Sequence, residues 1–196
     1  MNEKWFGWAM RINLEWIVKY HNESRRLLSR QIDEIDEEIK TCSDEERQQE
    51  LIYAKTIYST TFDQMLRSNT FLMMYSYLEE FLYLVQKHFS KETNAEGKGS
   101  IKRFKSVFKE SLGIDLEKDP DWQFISDCEK SRDCLLHANG RVDLSKNRAE
   151  IEKIVSRSHG LLKVDQQRIV LTGEFIKKVS IVLRNFIAKV ESRRPA

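Results

Sequence analysis

The segment Ser131-Arg132-Asp133-Cys134-Leu135-Leu136-His137-Ala138-Asn139-Gly140 holds the three side-chain types that phosphodiester chemistry uses: a guanidinium, a carboxylate and an imidazole. Asp133 and His137 stand four positions apart, so on a helix they share a face, where the carboxylate can orient the imidazole and favour its protonated form. A helix C-terminus acts in the same sense, because its free carbonyls favour a cation. A histidine placed there takes up and releases a proton near neutral pH. The planar fork of Arg132 matches two phosphate oxygens. It precedes His137 by five positions, about 140° round and about 7.5 Å along an ideal helix, so Arg132 must reach across, or the last turn distort, for both to meet one substrate. The chemistry these groups suggest is RNA cleavage without a metal. His137 would move protons to or from the 2′-hydroxyl or the leaving oxygen, while Arg132 would hold the phosphate and offset the charge developing on it. The neighbouring 2′-hydroxyl is then the nucleophile, no metal or other cofactor is required, and no cluster of residues shows metal-ligand spacing.

These residues need helices to place them. Asp119-Pro120 is a helix start, an N-cap acid followed by a proline whose missing amide costs nothing in the first turn. The helix it opens runs to His137, and Asn139-Gly140 supplies a left-handed exit. Upstream, apolar residues recur at helical spacing from Lys4 to Lys40: Trp5, Trp8, Ile12, Trp16, Tyr20, Leu27 or Leu28, Ile32, Ile35 and Ile39. Thr41-Cys42-Ser43 interrupts this helix, and Ser43 with Glu46 forms a capping box for the next. That second helix, from about Asp44 to Phe89, includes Ser59-Thr60-Thr61, whose hydroxyls compete for backbone hydrogen bonds and can bend it. Two long helices so joined pack antiparallel, with the acid-rich tract Asp33 to Glu50 at their tip, a solvated projection or an acidic dock for a basic partner. Asn94 to Gly99 reads as a loop. Ser100 to Leu112 reads as a short helix with Ile101, Phe104, Val107 and Phe108 inward and Lys102, Arg103, Lys105 and Lys109 outward, stopped by Gly113. A partial helix near Glu150 to Val155, a hairpin of Leu161 to Val164 with Arg168 to Leu171, and a helix from about Gly173 to Ser192 complete the chain.

Composition agrees with an all-α helical bundle of about five helices. Only seven Gly and two Pro occur in 196 residues, with 40% apolar and 33% charged side chains, enough for a sizeable core under a charged surface. Collagen-like and linker-dominated chains are excluded. The longest uncharged stretch, Ser68 to Leu78, spans 11 residues, short of the roughly 18 that cross a bilayer. Met-Asn-Glu-Lys does not read as a signal peptide, and three cysteines without Cys-x-x-Cys spacing fit a reducing cytoplasm. The net charge of +2 divides into −5 for residues 1–97 and +7 for residues 98–196, a field that attracts a polyanion such as RNA.

On Arg132-Asp133-Cys134-Leu135-Leu136-His137 the chain resembles the HEPN family, all-helical domains marked by an arginine, an adjacent polar residue and a histidine five to seven positions on. Phe71-Leu-Met-Met-Tyr-Ser-Tyr-Leu-Glu-Glu-Phe-Leu is similar to the family's second core helix with its inward acidic residue, here Glu79 or Glu80. His-x-Asn-Gly followed by an apolar hairpin and a last helix also looks like bacterial members. The resemblance covers about residues 69–190 of a single domain, residues 1–68 being a helical hairpin extension with no family role. It implies a metal-independent endoribonuclease, commonly a toxin or antiviral effector, active as a homodimer whose two motifs line one cleft. A protein antitoxin or a nucleotidyltransferase would be its partner. The site is then Arg132 and His137, with Asp133 orienting the histidine and Glu79 supporting the arginine or the site as a whole. Some members are catalytically silent, which leaves a helical protein-interaction module as the alternative.

Other residues carry weaker readings. Trp5, Trp8 and Trp16 suit core or dimer packing more than base stacking. His21 and His88 read as surface or satisfied core residues, His159 falls in a loop, and Cys134 reads as a buried inert thiol. Lys102, Arg103, Lys105 and Arg141 can follow an RNA backbone, or the three on the short helix can form a solvated face.

Overall fold

A computed structural model describes residues 4–89 and 101–193. The fold is all-α with one small antiparallel sheet before the last helix, as expected. Helix α1 (Lys4–Thr41) is followed by α2 (Glu45–Thr56) and α3 (Asp63–Phe89), which form the return arm of the hairpin. Next come α4 (Lys105–Leu112), α5 (Pro120–Ala138) and α6 (Arg148–Arg157), then strands β1 (Leu162–Asp165) and β2 (Arg168–Leu171), and finally α7 (Gly173–Ser192). Among the described residues no helix is long and apolar enough to cross a membrane. The Asn94 to Gly99 loop lies outside the described residues.

The core sits where α3, α4, α5 and α7 meet. Phe186 of α7 is stacked on Phe108 of α4 at 5.7 Å and lies 5.5 Å from Trp122 of α5, while Phe71 of α3 meets Phe175 of α7 edge-on at 5.2 Å. Each fully buried aromatic removes a large apolar area from water, so this cluster fixes how α3 and α5 face one another. That relation positions the candidate site.

Three local expectations are corrected. The cap of α2 is Asp44 in place of Ser43, its carboxylate accepting from the backbone N–H of Glu46 and Arg47. A carboxylate at a helix start gains from the dipole as well as from the hydrogen bonds, which a serine does not. The return arm is not one α-helix: Ile57–Phe62 winds as a π-helix, with Thr60 Oγ1 donating to the Thr56 carbonyl at 2.6 Å and Ser59 Oγ to the same oxygen at 3.3 Å. This is the hydroxyl competition foreseen at Ser59-Thr60-Thr61, expressed as a wider turn. The apolar stripe of α1 is also out of phase in its first half. Leu14 and His21 are buried, whereas Trp16 is 59% and Tyr20 52% exposed. Trp16 lies about 160° round the helix from Leu14, so both cannot face the core. From Leu28 through Ile35 the expected stripe does point inward, and Leu27 is exposed. The side chains of Trp5 and Trp8 lie outside the described residues.

Candidate functional site

Helix α5 begins as its sequence demands. Asp119 Oδ1 accepts from the N–H of Asp121 at 2.9 Å and of Trp122 at 3.1 Å, and Pro120 occupies the first turn. The other oxygen of Asp119 accepts from Lys189 of α7. At the far end Asn139 (φ 48°) and Gly140 (φ 75°) turn left-handed, and Gly140 N–H closes on the Cys134 carbonyl at 3.0 Å. Such a pair of positive φ angles ends a helix cleanly, so His137 stands in the last regular turn.

Arg132 points into the cleft between α5 and α3 and is 17% exposed. Its Nη2 donates to Glu79 Oε1 of α3, and its Nη1 donates to Asp133 Oδ1 at 2.8 Å. The guanidinium lies over the ring of Tyr75, 5.1 Å from its centroid. Tyr75 and Glu79 are four apart on α3, so the ring forms the floor and the carboxylate one wall of a clamp. Burial works against the charge of Arg132, but Glu79 and Asp133 outweigh it and hold the guanidinium above its ordinary pKa. Burial pushes the Glu79 carboxyl up, with Asp133 and Glu129 adding repulsion and Arg132 opposing it. Between Glu79 and Glu80, the structure selects Glu79 as the residue that meets Arg132; Glu80 is exposed.

His137 is exposed at the α5 terminus. The expected link to Asp133 is corrected: among the described residues no hydrogen bond or ion pair joins them, and Asp133 is taken by Arg132. The long arginine stem folds back onto its chain neighbour and reaches the carboxylate first. Since α5 stays regular through Ala138, Arg132 and His137 leave it about 140° apart within a protomer.

The candidate RNA-binding cations are mostly engaged. Arg141 forks onto Asp143 at 2.8 and 2.6 Å, and Lys105 meets Glu117 at 3.0 Å. Lys102 and Arg103 have their backbone in the short 3₁₀ turn Ile101–Phe104, and their side chains lie outside the described residues. Cys128 and Cys134 are buried, and burial raises both thiols, which suits inert core positions. Among the described residues no group of three or more His, Cys, Asp or Glu could hold a metal ion.

Comparison of the chain with protein-family models, with curated proteins and with solved structures returned no match. The HEPN resemblance therefore rests on the residues quoted above.

Two residues at the site escaped sequence reasoning. Tyr75 has a signal in its spacing, since it stands one turn before Glu79 on the same face. Arg168 has none. It opens β2, and its Nη1 donates to the carbonyl of Asn139, a contact between residues 29 apart that only the docking of the hairpin on α5 creates.

Proposed function

We propose that this protein is a metal-independent endoribonuclease of HEPN type that works as a homodimer. The observation that carries the reading is the clamp in which Glu79 of α3 and Asp133 of α5 hold Arg132 over Tyr75, five positions before an exposed histidine at a helix C-terminus. A guanidinium restrained in this way loses little further freedom when it binds a phosphate, and fixed donors stabilise developing charge better than mobile ones. In this reading Glu79 and Asp133 position Arg132, and His137 carries the proton transfers. The ribose 2′-oxygen attacks phosphorus and gives up its proton, the bond to the 5′-oxygen breaks, and that oxygen is protonated as it leaves.

The divergence of Arg132 and His137 on one regular helix supports the dimer, because a second protomer brings a second histidine to the first arginine. A toxin or antiviral role, restrained by a protein antitoxin or a nucleotidyltransferase, follows the same resemblance. A second reading, a catalytically silent interaction module, draws on the exposed Tyr20 and Met73, which line a groove between α1 and α3 of about 630 Å³.

Cleavage of single-stranded and folded RNA in the presence of EDTA separates the two. The nuclease yields fragments ending in a cyclic phosphate, and His137→Ala or Arg132→Ala lowers the rate by about 10²- to 10⁴-fold. Equal cleavage by the double variant would overturn the assignment.

A further inference from the structure

The β-hairpin brings a second arginine to the C-terminal end of α5, the helix that carries His137. The Gln166-Gln167 turn takes φ 44° and 65°, a tight reversal that fixes the start of β2. Ile169 N–H donates to the Gly140 carbonyl at 2.9 Å and Val142 N–H to the Gln167 carbonyl at 2.8 Å, while Arg141 and Arg168 face each other across an antiparallel bridge. The hairpin tip is thus sewn to the end of α5, with Arg168 Nη1 on the carbonyl two residues beyond His137. Asn139 is the left-handed cap of the helix whose last turn carries His137.

Arg168 differs from the two other arginines at the end of α5, Arg132 and Arg141. Arg132 touches two carboxylates and Arg141 touches Asp143. A phosphate approaching either of these competes with an acid. Arg168 is exposed, and among the described residues no carboxylate forms an ion pair with it, its cross-strand neighbour Asp165 included. Its Nη1 bond to Asn139 fixes one edge of the guanidinium and leaves the remaining donors facing solvent, the arrangement that receives an anion.

We infer that Arg168 binds the RNA phosphate next to His137 of the same protomer, a contact that the inward-facing Arg132 of that protomer does not make. The inference rests on the ribonuclease reading. Within it, each histidine has a local phosphate-binding cation supplied by the hairpin.

The test is binding of a fluorescein-labelled single-stranded RNA, followed by anisotropy over a salt series, in a His137→Ala background that leaves the probe uncut. Adding Arg168→Gln is expected to weaken binding about 5- to 10-fold and to reduce the slope of log affinity against log salt by about 0.7, one released counterion on a single strand. Arg168→Lys keeps the charge and is expected to keep the slope. Melting curves of each variant report the lost Asn139 contact separately, since a purely structural arginine would lower the melting temperature without moving the salt slope. Unchanged affinity and slope in Arg168→Gln overturn the inference while His137-dependent cleavage by the parent protein stands. A parent that binds RNA through Arg168 yet never cuts it overturns the ribonuclease reading and keeps the phosphate contact. A parent that does not bind RNA overturns both.

Discussion

A guanidinium touching two carboxylates and an aromatic face is held by three independent contacts, and Tyr75 supplies the least conspicuous of them. The ring is 1% exposed, and its hydroxyl, buried against Glu129 and Glu79, has no hydrogen-bond partner among the described residues. Burial, with those two carboxylates, raises its pKa, so it remains a neutral phenol at any working pH. An orphaned buried hydroxyl costs its desolvation, so Tyr75→Phe, which keeps the ring beneath Arg132, is expected to be neutral or to stabilise by up to about 1 kcal/mol in urea denaturation. Tyr75→Leu, which removes the π face, is expected to lower stability in the same measurement. The partners of Arg132 were only half legible in the sequence. Glu79 followed from the family-like helix, whereas Asp133 was assigned to His137 because spacing rules follow Cβ positions, and the long arginine side chain ignores them.

At the scale of elements, α1 shows how a helix can be recognised correctly and oriented wrongly. Its length was plain from its periodicity, but Leu14 and His21 mark the buried side, with Trp16 opposite. His21 Nδ1 lies 2.9 Å from Thr70 Oγ1 of α3, and that hydroxyl donates to the Leu66 carbonyl at 2.8 Å. Its one hydrogen is therefore used, so Nδ1–H of the neutral ring must be the donor. Burial lowers the pKa of His21, the Arg25 and Arg67 charges lower it further, and Asp63 opposes them. A histidine with a depressed folded pKa binds protons more readily when unfolded. Its contribution to stability is present above the unfolded value near 6.5 and is lost as pH falls through the folded value. Thermal unfolding followed by circular dichroism is expected to show a falling melting temperature below about pH 6.5, with a shallower fall in His21→Gln. The neutral amide can still donate to Thr70. No increase in acid resistance in that variant would refute this role for His21. The sequence showed only that no acid lies at a telling spacing from this histidine; its hydroxyl partner comes from another helix, 49 positions away.

At the scale of the whole molecule the question is how one active centre is assembled. Arg132 faces α3 and His137 faces solvent, and in the ribonuclease reading proposed above a centre that needs both draws on two chains. Mixing Arg132→Ala protomers with His137→Ala protomers is expected to restore cleavage to about a quarter of the wild-type rate. Random pairing makes half the dimers mixed, and each of these has one intact pair of groups. Two inactive variants that stay inactive when exchanged, in a sample that sediments as a dimer, would refute the shared centre. The charge division, −5 for residues 1–97 and +7 for residues 98–196, places the attraction for a polyanion on the half that carries α5 and the hairpin. In the acidic half, Arg47 bridges Glu38 and Glu50, and Lys55 meets Asp36, so much of the charge at the tip of α1 and α2 is locally compensated.

The sequence by itself determined the all-α class, most helix ends, the hairpin before α7 and the placing of Arg132 and His137 on one capped helix. Those features follow from local chemistry: apolar period, N-cap acids, a proline in the first turn and residues that accept positive φ. Only the tertiary structure decided which side of α1 is buried, that Glu79 and Tyr75 enclose Arg132, that Asp133 serves the arginine in place of the histidine, and that Arg168 reaches the end of α5. Each of these depends on side-chain ends from distant elements meeting in space. Helical period fixes direction around an axis, but it does not specify which neighbour lies there.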